Sequence, residues 1–463
     1  MAIKVCKFGG TSLADASQIR KVREIIRADP ERRYVVPSAP GKRSDDDRKI
    51  TDLLYLCHEH ARERLPFGEV FELIAERYRQ IIADLDLSLD LEPQLAEVKR
   101  GIAEHAEAEN PTPDYAASRG EYLNGHIIAA MLDYAFVDPA EMIFFGPRGR
   151  LDEDRTYEGV SRRLAGVEKA VVPGFYGTGA DGKVKTFSRG GSDVTGAIVA
   201  RGAGASIYEN WTDVSGLLMA DPRIVDNPRT IEFITYRELR ELSYMGARVL
   251  HDEAVFPVRR AGIPVNIRNT NDPEAPGTII FHGQSEDGID LMLEAGGGQT
   301  SSIKGTISGV AGQKHFTVLT LEKAMMNAEI GFGRRVMTVL ESNGVNFEHI
   351  PSGIDTMSVV VASEEIEGKT EQVVRELEQE CHPDSIEIDP DMALIATVGR
   401  GMAYIPGMAA RLFAALASEH INIRMIDQGS SELNIIVGVD AADFENAIRA
   451  IYAAFVSEAA PAR

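Results

Sequence analysis

The spacing of apolar residues predicts a change of secondary structure along the 463-residue chain. Residues 2–12 begin with a short β-rich run that ends at Lys7. Two glycines and then two hydroxyl residues able to cap a helix complete this stretch. Apolar positions three and four residues apart then predict a helix over 13–27. The same spacing dominates residues 50–134, which we therefore expect to be a largely helical subregion.

Beyond residue 142, short β-like runs alternate with helical stretches. The clearest strands are expected at 142–145, 170–172, 206–208 and 264–267. Strands that alternate with helices predict an α/β fold with a mostly parallel sheet covered on both faces. The Gly- and Ser-rich run 295–302 has the composition of a linker. We therefore expect a first domain over 1–284 and a linker over 285–304.

The chain beyond this linker contains an internal repeat with a constant spacing of 76 residues, at which Gly331 aligns with Gly407 and Arg335 with Arg411 without a gap. Each copy predicts an α+β module of the order βαββα. We expect the modules over 305–390 and 391–463, interleaved by a C-terminal segment that returns to the first. Neither copy carries a plausible catalytic cluster, and paired modules of this kind more often bind a small ligand or each other.

Composition and charge narrow the class of protein. A net charge of −22 argues against a nucleic-acid-binding surface, which must neutralise phosphates. The three cysteines are odd in number and far apart, which indicates a reducing compartment rather than a disulfide scaffold. No apolar run approaches the roughly 20 residues that span a bilayer, and no signal peptide is evident. The sequence therefore predicts a cytoplasmic protein without a membrane partner.

The first candidate site is the glycine turn after Lys7. Glycines let the backbone approach an anion, and a following helix N-terminus offers free N–H groups and a favourable dipole. Lys7 adds a mobile full charge beside those donors. The turn is not a Walker A loop, because no G-x-x-x-x-G-K-[ST] string occurs. An ordinary strand-to-helix turn with a chance lysine is the alternative that this segment alone leaves open.

Two later segments add polar groups to similar turns. In 187–193 glycines again precede a predicted helix, here with Arg189 and Asp193, and an arginine fork suits a carboxylate or a phosphate. The alternative is that Asp193 merely caps the helix. The segment 210–216 follows a predicted strand, where open α/β sheets bind ligands, although Asp and Gly also dominate ordinary turns. Two glycine turns in one domain favour phosphate chemistry.

Taken together, these segments resemble the signatures of a known family. The matching segments are 7–12, 188–193, 211–214, 243–251 and 262–265 with 268–270. They closely resemble aspartokinases, members of the amino acid kinase superfamily, and the repeat resembles the tandem ACT domains that give such enzymes feedback control. The resemblance runs from residue 7 to about 439. It implies an amino-acid-kinase-like three-layer αβα catalytic domain with a mostly parallel sheet and a helical insertion at about 50–134.

The resemblance also implies the reaction, in which ATP with Mg²⁺ donates its γ-phosphoryl group to the β-carboxylate of L-aspartate. The product, 4-phospho-L-aspartate, begins the pathway to lysine, threonine and methionine. By resemblance, Lys7 with the Gly9 and Gly10 amides holds the transferring group, and Asp193 orients the cations. The aspartate pocket is implied to contain Ser38, Thr51, Glu121, Phe175, Arg189, Gly190, Gly191 and Ser192. In this pocket Arg189 clamps the α-carboxylate, Glu121 meets the amino group and Phe175 forms a wall.

Positions on the nucleotide side are implied in the same way, namely Thr212, Asp213, Leu218, Arg223 and Arg248. Arg248 stands where many relatives have a second phosphate-binding lysine, which puts that role in doubt because a planar fork replaces a point charge. The charged loop 42–49 is longer than in some relatives, and a lid is one interpretation of it. We expect no homoserine dehydrogenase part, because the resemblance to aspartokinases already takes up residues 7 to about 439 of the 463.

Regulation is expected in the first module. The effector positions are predicted to be Met326, Gly331, Phe332, Phe347 and Glu348, with core and turn residues as the open alternative. Family habit favours lysine over threonine as inhibitor and a homodimer or higher homo-oligomer formed through the ACT-like modules. Two other functions were weighed, a kinase for glutamate or a nucleoside monophosphate and a non-catalytic amino-acid sensor. The segment around Glu121 and the repeat count against the first, and intact Lys7, Arg189 and Asp193 against the second.

Overall fold

The computed structural model describes residues 2–188, 190–247, 255–282, 307–429 and 431–456. The described strands are, in chain order, β1 (Lys4–Phe8), β2 (Arg32–Pro37), β3 (Ala135–Phe136), β4 (Ala170–Val171), β5 (Tyr176–Thr178), β6 (Val184–Thr186), β7 (Ile207–Thr212), β8 (Leu217–Leu218), β9 (Thr230–Ile231), β10 (Phe233–Thr235), β11 (Val265–Asn269), β12 (Thr278–Phe281), β13 (Gly309–Glu322), β14 (Thr356–Ala362), β15 (Ser385–Val398), β16 (Met425–Asp427) and β17 (Asn434–Asp440).

The described α-helices follow the same order. They are α1 (Ala16–Arg27), α2 (Ile50–Arg62), α3 (Gly68–Asp84), α4 (Glu92–Ala106), α5 (Asp114–Leu132), α6 (Glu153–Leu164), α7 (Gly191–Gly202), α8 (Tyr236–Tyr244), α9 (Phe256–Arg260), α10 (Phe332–Ser342), α11 (Ser363–Ile366), α12 (Thr370–Cys381), α13 (Met408–Ser418) and α14 (Phe444–Val456). None of these described helices is both long and apolar enough to cross a membrane.

Internal contacts divide the chain into two units. The first contains Met1–Leu217, Glu232–Tyr236 and Leu250–Gly296, and the second contains Leu218–Ile231, Arg237–Val249 and Gly297–Arg463. Both units are thus discontinuous in sequence. The domain boundaries expected from the sequence, at 284 and 305, stay a prediction. The expected linker, 285–304, lies outside the described residues.

The first unit is built on an eight-stranded sheet of the order β10-β12-β11-β7-β1-β2-β4-β3. Neighbouring strands are parallel except for the antiparallel pair β11–β12, so the predicted mostly parallel sheet is confirmed. Residues 142–145 differ from the prediction, since they form isolated bridges, Phe144 with Thr178 and Phe145 with Leu151. The site therefore rests on a sheet whose central strands are β1 and β7.

Both faces of this sheet are covered by helices. On β7, Trp211 belongs to the same apolar core as Ile19 and Val22 of α1, so α1 covers that face. Tyr208 lies on the opposite face, because side chains alternate along a strand. There it meets α7 so closely that a Cβ on Gly196 would lie 2.6 Å from the Tyr208 hydroxyl oxygen. The predicted three-layer αβα architecture is therefore present, and the helical subregion is formed by α2 to α5.

The second unit contains a five-stranded antiparallel sheet of the order β14-β13-β15-β17-β16. Its elements reproduce the 76-residue repeat, since β13 and β15 have 14 residues each and α10 and α13 have 11 each. The bounds of β15 and α13 are those of β13 and α10 moved by the same 76 residues. The repeat in the sequence is therefore a repeat in the structure, with one difference from the predicted order βαββα. At the position of β16 the first copy forms only isolated bridges, at His349 and nearby at Ser352.

The two copies share their longest strands. β13 pairs with β15 in antiparallel register from Gly309 opposite Val398 to Glu322 opposite Ser385. As a result Ile307 and Val310, at the start of the first copy, lie in the core of the second copy. Ile386, at the start of the second copy, packs on the core of the first. Residues 457–463 lie outside the described residues, so the expected return of the C-terminal segment stays a prediction.

Candidate active site

The first glycine turn continues directly from a central strand. Lys7 lies on β1 between β2 and β7, and the N–H of Gly9 donates to the Trp211 carbonyl of β7 at 3.0 Å. The next residues form a 3₁₀ turn, and Asp15 caps α1 by accepting from the Gln18 N–H. The sequence had suggested that the hydroxyl residues after the glycines cap this helix. They do not, because the 3₁₀ turn delays the start of α1.

The second glycine turn lies at the N-terminus of α7. Gly190 adopts φ 57°, in the left-handed region that glycine tolerates, and Asp193 lies in the first turn of the helix. Asp193 Oδ1 lies 2.7 Å from Lys7 Nζ and accepts from the side-chain amide of Asn210 at 2.9 Å. Asn210 comes from β7, next to β1. The carboxyl ends of two neighbouring strands and a helix N-terminus thus meet, as expected for open α/β sheets.

Glu121 supplies the cavity with a buried carboxylate. Its side chain lies on α5, the residue is 6% exposed, and Oε2 is buried without a hydrogen-bond partner in the described chain. Burial raises the pKa of Glu121 to about 7, against the opposing influence of the Ala39 N–H, Arg119 and Lys7. An acceptor that is buried and unpaired costs free energy, so it marks a position at which a ligand donor would be stabilised.

Close packing of α5 places this carboxylate. A Cβ on Gly120 would lie 2.8 Å from the Ala39 Cβ, and one on Gly125 would lie 2.6 Å from the Pro173 Cγ. Asn124 Nδ2 donates to the Ser38 carbonyl at 2.7 Å, immediately after β2. Glycine at these positions therefore allows α5 to lie directly against the segments that follow β2 and β4.

Phe175 forms a wall in an uncommon conformation. Its φ is 83°, a value that non-glycine residues rarely adopt and that the surroundings must enforce. The Phe175 N–H donates to Thr195 Oγ1 at 3.0 Å, and Thr195 Oγ1 donates to the Gly191 carbonyl at 2.9 Å. A Cβ on Gly191 would overlap the Phe175 ring. The buried Thr195 hydroxyl therefore links the wall to the N-terminus of α7.

These groups enclose a cavity of about 250 Å³. Its lining residues are Lys7, Ser38, Thr51, Glu121, Phe175, Gly190, Gly191, Ser192 and Asp193. The structure thus brings together both predicted catalytic residues and every described residue of the predicted aspartate pocket, while Arg189 lies outside the described residues. The cavity combines an ammonium group, the free N–H groups of a helix and two carboxylates. It is suited to a small molecule that carries charges of both signs.

Of the predicted nucleotide positions that the structure describes, Lys7 lines this cavity, whereas Gly9, Gly10, Thr212, Asp213, Leu218 and Arg223 do not. Thr212 is half-buried at the end of β7, with its hydroxyl 3.2 Å from the Asp213 carboxylate, and Asp213 is exposed. Leu218 and Arg223 fall in the second unit, where Arg223 pairs with Asp221. Arg248 lies outside the described residues.

The predicted effector positions differ in how deeply they are buried. Met326 and Phe332 are buried in the core of the first copy, and Gly331 adopts φ 85° at the start of α10. Phe347 is 49% exposed, and the Glu348 carboxylate accepts from the Tyr244 hydroxyl of α8. The structure therefore places two of them in the core and three at its surface or in a turn.

Sequence reasoning missed three residues that organise the site: Asn124, Thr195 and Asn210. The spacing signal for Thr195 was available, since it lies four residues after Gly191 on a helix, where a threonine hydroxyl reaches the carbonyl. Nothing in the spacing shows that Asn210 meets Asp193.

Comparison with known proteins agrees with this geometry. The model of the Amino acid kinase family matches residues 2–269, and that of an ACT domain matches 395–455. The chain is 38% identical to aspartokinase 3 of Bacillus subtilis over 466 residues, which cover 98% of each protein. The family is therefore shown over more than half of the chain and by a full-length relative.

Solved structures extend the comparison. Clostridium acetobutylicum aspartate kinase has a TM-score of 0.87 and 52% identity, with 99% of this chain and 100% of that chain covered. E. coli aspartokinase III has 25% identity, with a TM-score of 0.68 for its complex with aspartate and ADP and 0.71 for its complex with lysine and aspartate. These two alignments cover 98% of this chain and 99% of that one. With a kinase core, a carboxylate-lined cavity and a duplicated ACT part, this chain belongs to the aspartokinases of the amino acid kinase family, enzymes that phosphorylate a carboxyl group.

Proposed function

We propose that the protein transfers the γ-phosphoryl group of ATP to the β-carboxylate of L-aspartate and so forms 4-phospho-L-aspartate. The observation that carries the proposal is the unpartnered, buried Oε2 of Glu121 in a cavity that also holds Lys7 and the N-terminus of α7. An α-amino acid needs an acceptor for its ammonium group and donors for its carboxylates. The cavity offers both, and its volume of about 250 Å³ suits a small amino acid.

In this proposal the residues mainly position charges. The β-carboxylate of aspartate is already ionised at pH 7, so no strong general base is needed. Glu121 accepts from the amino group, while Ser38, Thr51 and Phe175 bound the side chain. Arg189 keeps its predicted role as a clamp for the α-carboxylate.

The phosphoryl donor is proposed to lie against the first glycine turn. Lys7 and the Gly10 amide would hold the transferring group, which needs alignment and charge stabilisation more than covalent chemistry. The Gly9 amide, predicted for the same role, already donates its N–H to the Trp211 carbonyl. Thr212, Asp213, Leu218, Arg223 and Arg248 stay proposals for the nucleotide. E. coli aspartokinase III was solved with aspartate and ADP, which supports ATP as the donor here.

Asp193 is the residue that fits a magnesium ion. Mg²⁺ is usually held by one or two carboxylates together with phosphate oxygens, and Asp193 lies in the cavity beside Lys7. In the described residues no group of three or more acidic, histidine or cysteine side chains forms a ready-made metal site. Bound Mg²⁺ would neutralise charge on the phosphates, and Asp193 would orient it without removing a proton.

Regulation and setting are proposed at the same level. Lysine is the favoured inhibitor, because E. coli aspartokinase III was solved with lysine, and threonine is next. Met326, Gly331, Phe332, Phe347 and Glu348 stay the proposed effector positions. We further propose that the chain assembles through its ACT modules into a homodimer or higher homo-oligomer. The reaction would be the first step towards lysine, threonine and methionine. A cytoplasmic setting would suit the three free, buried cysteines.

A hydroxylamine-trapping assay tests the function. Purified protein, ATP, Mg²⁺ and hydroxylamine are incubated with L-aspartate, L-glutamate or no amino acid, and hydroxamate is measured. We expect hydroxamate only in the reaction that contains aspartate, because hydroxylamine captures an acyl phosphate. Parallel reactions with added lysine, threonine or methionine identify the effector. Absence of aspartyl hydroxamate would refute the proposal, and a larger yield with glutamate would assign a different acceptor.

A further inference from the structure

The helical subregion contains a buried arginine that the catalytic roles above leave unexplained. Arg77 lies on α3, and its side chain is only 5% exposed. Arg79, two positions later on the same helix, is 37% exposed and pairs with Glu72 and Glu92 at the surface. Burying a guanidinium is costly unless its N–H groups find good acceptors. The identity of those acceptors therefore indicates what Arg77 does.

The acceptors of Arg77 come from two separate segments. Its NH1 group donates to Asp47 Oδ2 at 2.7 Å, and its NH2 group donates to the carbonyls of Ala14 at 2.9 Å and Gly41 at 2.7 Å. Ala14 directly follows the 3₁₀ turn of the first glycine segment. Gly41 and Asp47 belong to the stretch that leads into and forms the charged loop 42–49.

Asp47 also ties the loop to itself. Its carboxylate accepts from the backbone and side chain of Arg43, with Oδ2 shared between Arg43 and Arg77. These hydrogen bonds hold the pKa of Asp47 well below its usual range, so the carboxylate stays ionised at neutral pH. Because Arg43 belongs to the loop itself, Arg77 is the cation that joins the loop, through Asp47, to α3.

The fastened segment touches the glycine turn directly. The Gly41 N–H donates to the Gly10 carbonyl at 2.8 Å, and a Cβ on Gly41 would lie 2.6 Å from the Gly10 carbonyl carbon. Two backbones at this distance cannot move independently. Arg77 therefore restrains the glycine turn at two points, directly at the Ala14 carbonyl and through Gly41 at Gly10.

We propose that Arg77 is a positioning residue for phosphoryl transfer, which fastens the loop 42–49 to the first glycine turn and so sets the place of the Gly10 amide. The inference rests on the proposed function, in which this amide and Lys7 hold the transferring phosphoryl group. A displacement of about 1 Å at such a site can cost on the order of 10²-fold in rate. Arg77 acts through Gly41 and Ala14 and does not itself line the cavity.

The test compares Arg77→Lys, Arg77→Met and Asp47→Asn with the matched control Arg79→Met. For each protein the hydroxamate assay gives kcat and the KM for ATP and for aspartate, calorimetric titration gives the Kd for a non-hydrolysable ATP analogue, and thermal denaturation gives Tm. We expect Arg77→Lys to stay folded and to lose about 10- to 100-fold in kcat/KM for ATP, because one ammonium cannot reach all three acceptors. Its KM for aspartate should stay within about twofold of the wild-type value, and its Kd for the ATP analogue should rise.

The remaining variants give the comparison its direction. Asp47→Asn should show a smaller loss of the same kind, since Arg77 keeps both carbonyl acceptors, and Arg79→Met should match the wild type. Wild-type ATP parameters in Arg77→Lys, or an equal loss for ATP and aspartate, would overturn the proposal. If Arg77→Met fails to fold, Arg77→Lys and Asp47→Asn still decide. If the wild type makes no aspartyl hydroxamate, the proposed function fails, whereas the Kd for the non-hydrolysable ATP analogue still tests the positioning role.

Discussion

Lys7 Nζ and Asp193 Oδ1 form a direct ion pair at 2.7 Å, and this pair joins the two glycine turns of the first unit. Both side chains are largely shielded from water, so the pair is screened less than a surface pair. Asn210 holds the same oxygen of Asp193, which leaves the lysine ammonium directed into the cavity from a fixed partner. The charges needed to align two anionic substrates are therefore already in place.

Replacing Lys7 tests this arrangement. Lys7→Ala should lower kcat in the hydroxamate assay by at least about 10²–10³-fold, because one charge-stabilising donor is lost from the transferring group. The matched control is Lys4→Ala on the same strand, whose ammonium pairs with Asp29 and Glu31 away from the cavity. Circular dichroism should show both variants folded. Near-normal turnover in Lys7→Ala would refute its assignment.

The pKa of Glu121 predicts how aspartate use depends on pH. The ionised carboxylate binds an ammonium group better than the protonated form, and the pKa of the free enzyme's Glu121 is about 7. Consequently kcat/KM for aspartate should rise with pH through about 7 and level off above it. Glu121→Gln should remove this rise and increase the KM for aspartate far more than that for ATP. Equal changes in both constants would show that Glu121 does not meet the amino group.

The same residue predicts a dependence of stability on pH. In the unfolded chain Glu121 ionises near its ordinary value of 4.5, whereas in the folded protein it keeps its proton up to about 7. Between these values the folded state binds more protons, so this group destabilises the protein as pH rises. From pH 5 to pH 8, Glu121→Gln should gain up to about 3 kcal/mol in unfolding free energy relative to wild type. Denaturant titrations at both pH values measure it, and no gain would contradict the shifted pKa.

Thr195 should control discrimination between acceptors. Thr195→Val keeps the shape but removes both hydrogen bonds that hold Phe175 and Gly191. We expect a higher KM for aspartate and a smaller preference for aspartate over glutamate, with a loss of about 1–3 kcal/mol in stability. Thr156→Val is the control. The buried hydroxyl of Thr156, on α6, makes similar hydrogen bonds with the Phe144 backbone, and neither residue lines the cavity. An equal loss of discrimination in both variants would exclude a specific role for Thr195.

The contact between Tyr244 and Glu348 predicts an effect on feedback. The hydroxyl of Tyr244 donates to a carboxylate proposed to bind the effector, and burial together with this bond raises the pKa of Tyr244 to about 12. Tyr244→Phe frees the carboxylate for the effector. Half-inhibition by lysine should therefore require about fivefold less lysine, with turnover unchanged in its absence. Tyr452→Phe is the control, because the Tyr452 hydroxyl accepts from the Arg229 N–H in the same unit. An unchanged inhibition curve would separate this contact from regulation.

The sequence predicted the parts of the site that depend on local backbone. Spacing along the chain indicated the glycines before α7 and the lysine on β1, whereas Glu121 was implied only by the resemblance to aspartokinases. The structure places all of these residues around one cavity. Spacing also indicated the 76-residue repeat, since a duplicated pattern of apolar positions produces a duplicated set of elements.

What the sequence did not reveal are contacts between distant segments. Asn210 reads as a turn residue until β7 is placed beside β1, and Arg77 reads as a solvated position on an amphipathic helix until its acceptors are known. The strand pairing of β13 with β15 is hidden for the same reason, because either strand would fit a sheet of its own copy. Pairing partners are set by tertiary packing, which spacing along the chain does not encode.

The shared strands make the ACT pair an intramolecular domain swap. The core of the first copy receives Ile386 from the second, and the core of the second receives Ile307 and Val310 from the start of the first. During synthesis, therefore, residues 307–310 can pack into their core only after the second copy has been made. Neither copy excised alone would retain its complete set of strands, and a chain cut between α12 and β15 would be restored only when both fragments meet. The duplication thus produced one cooperative folding unit rather than two independent sensors.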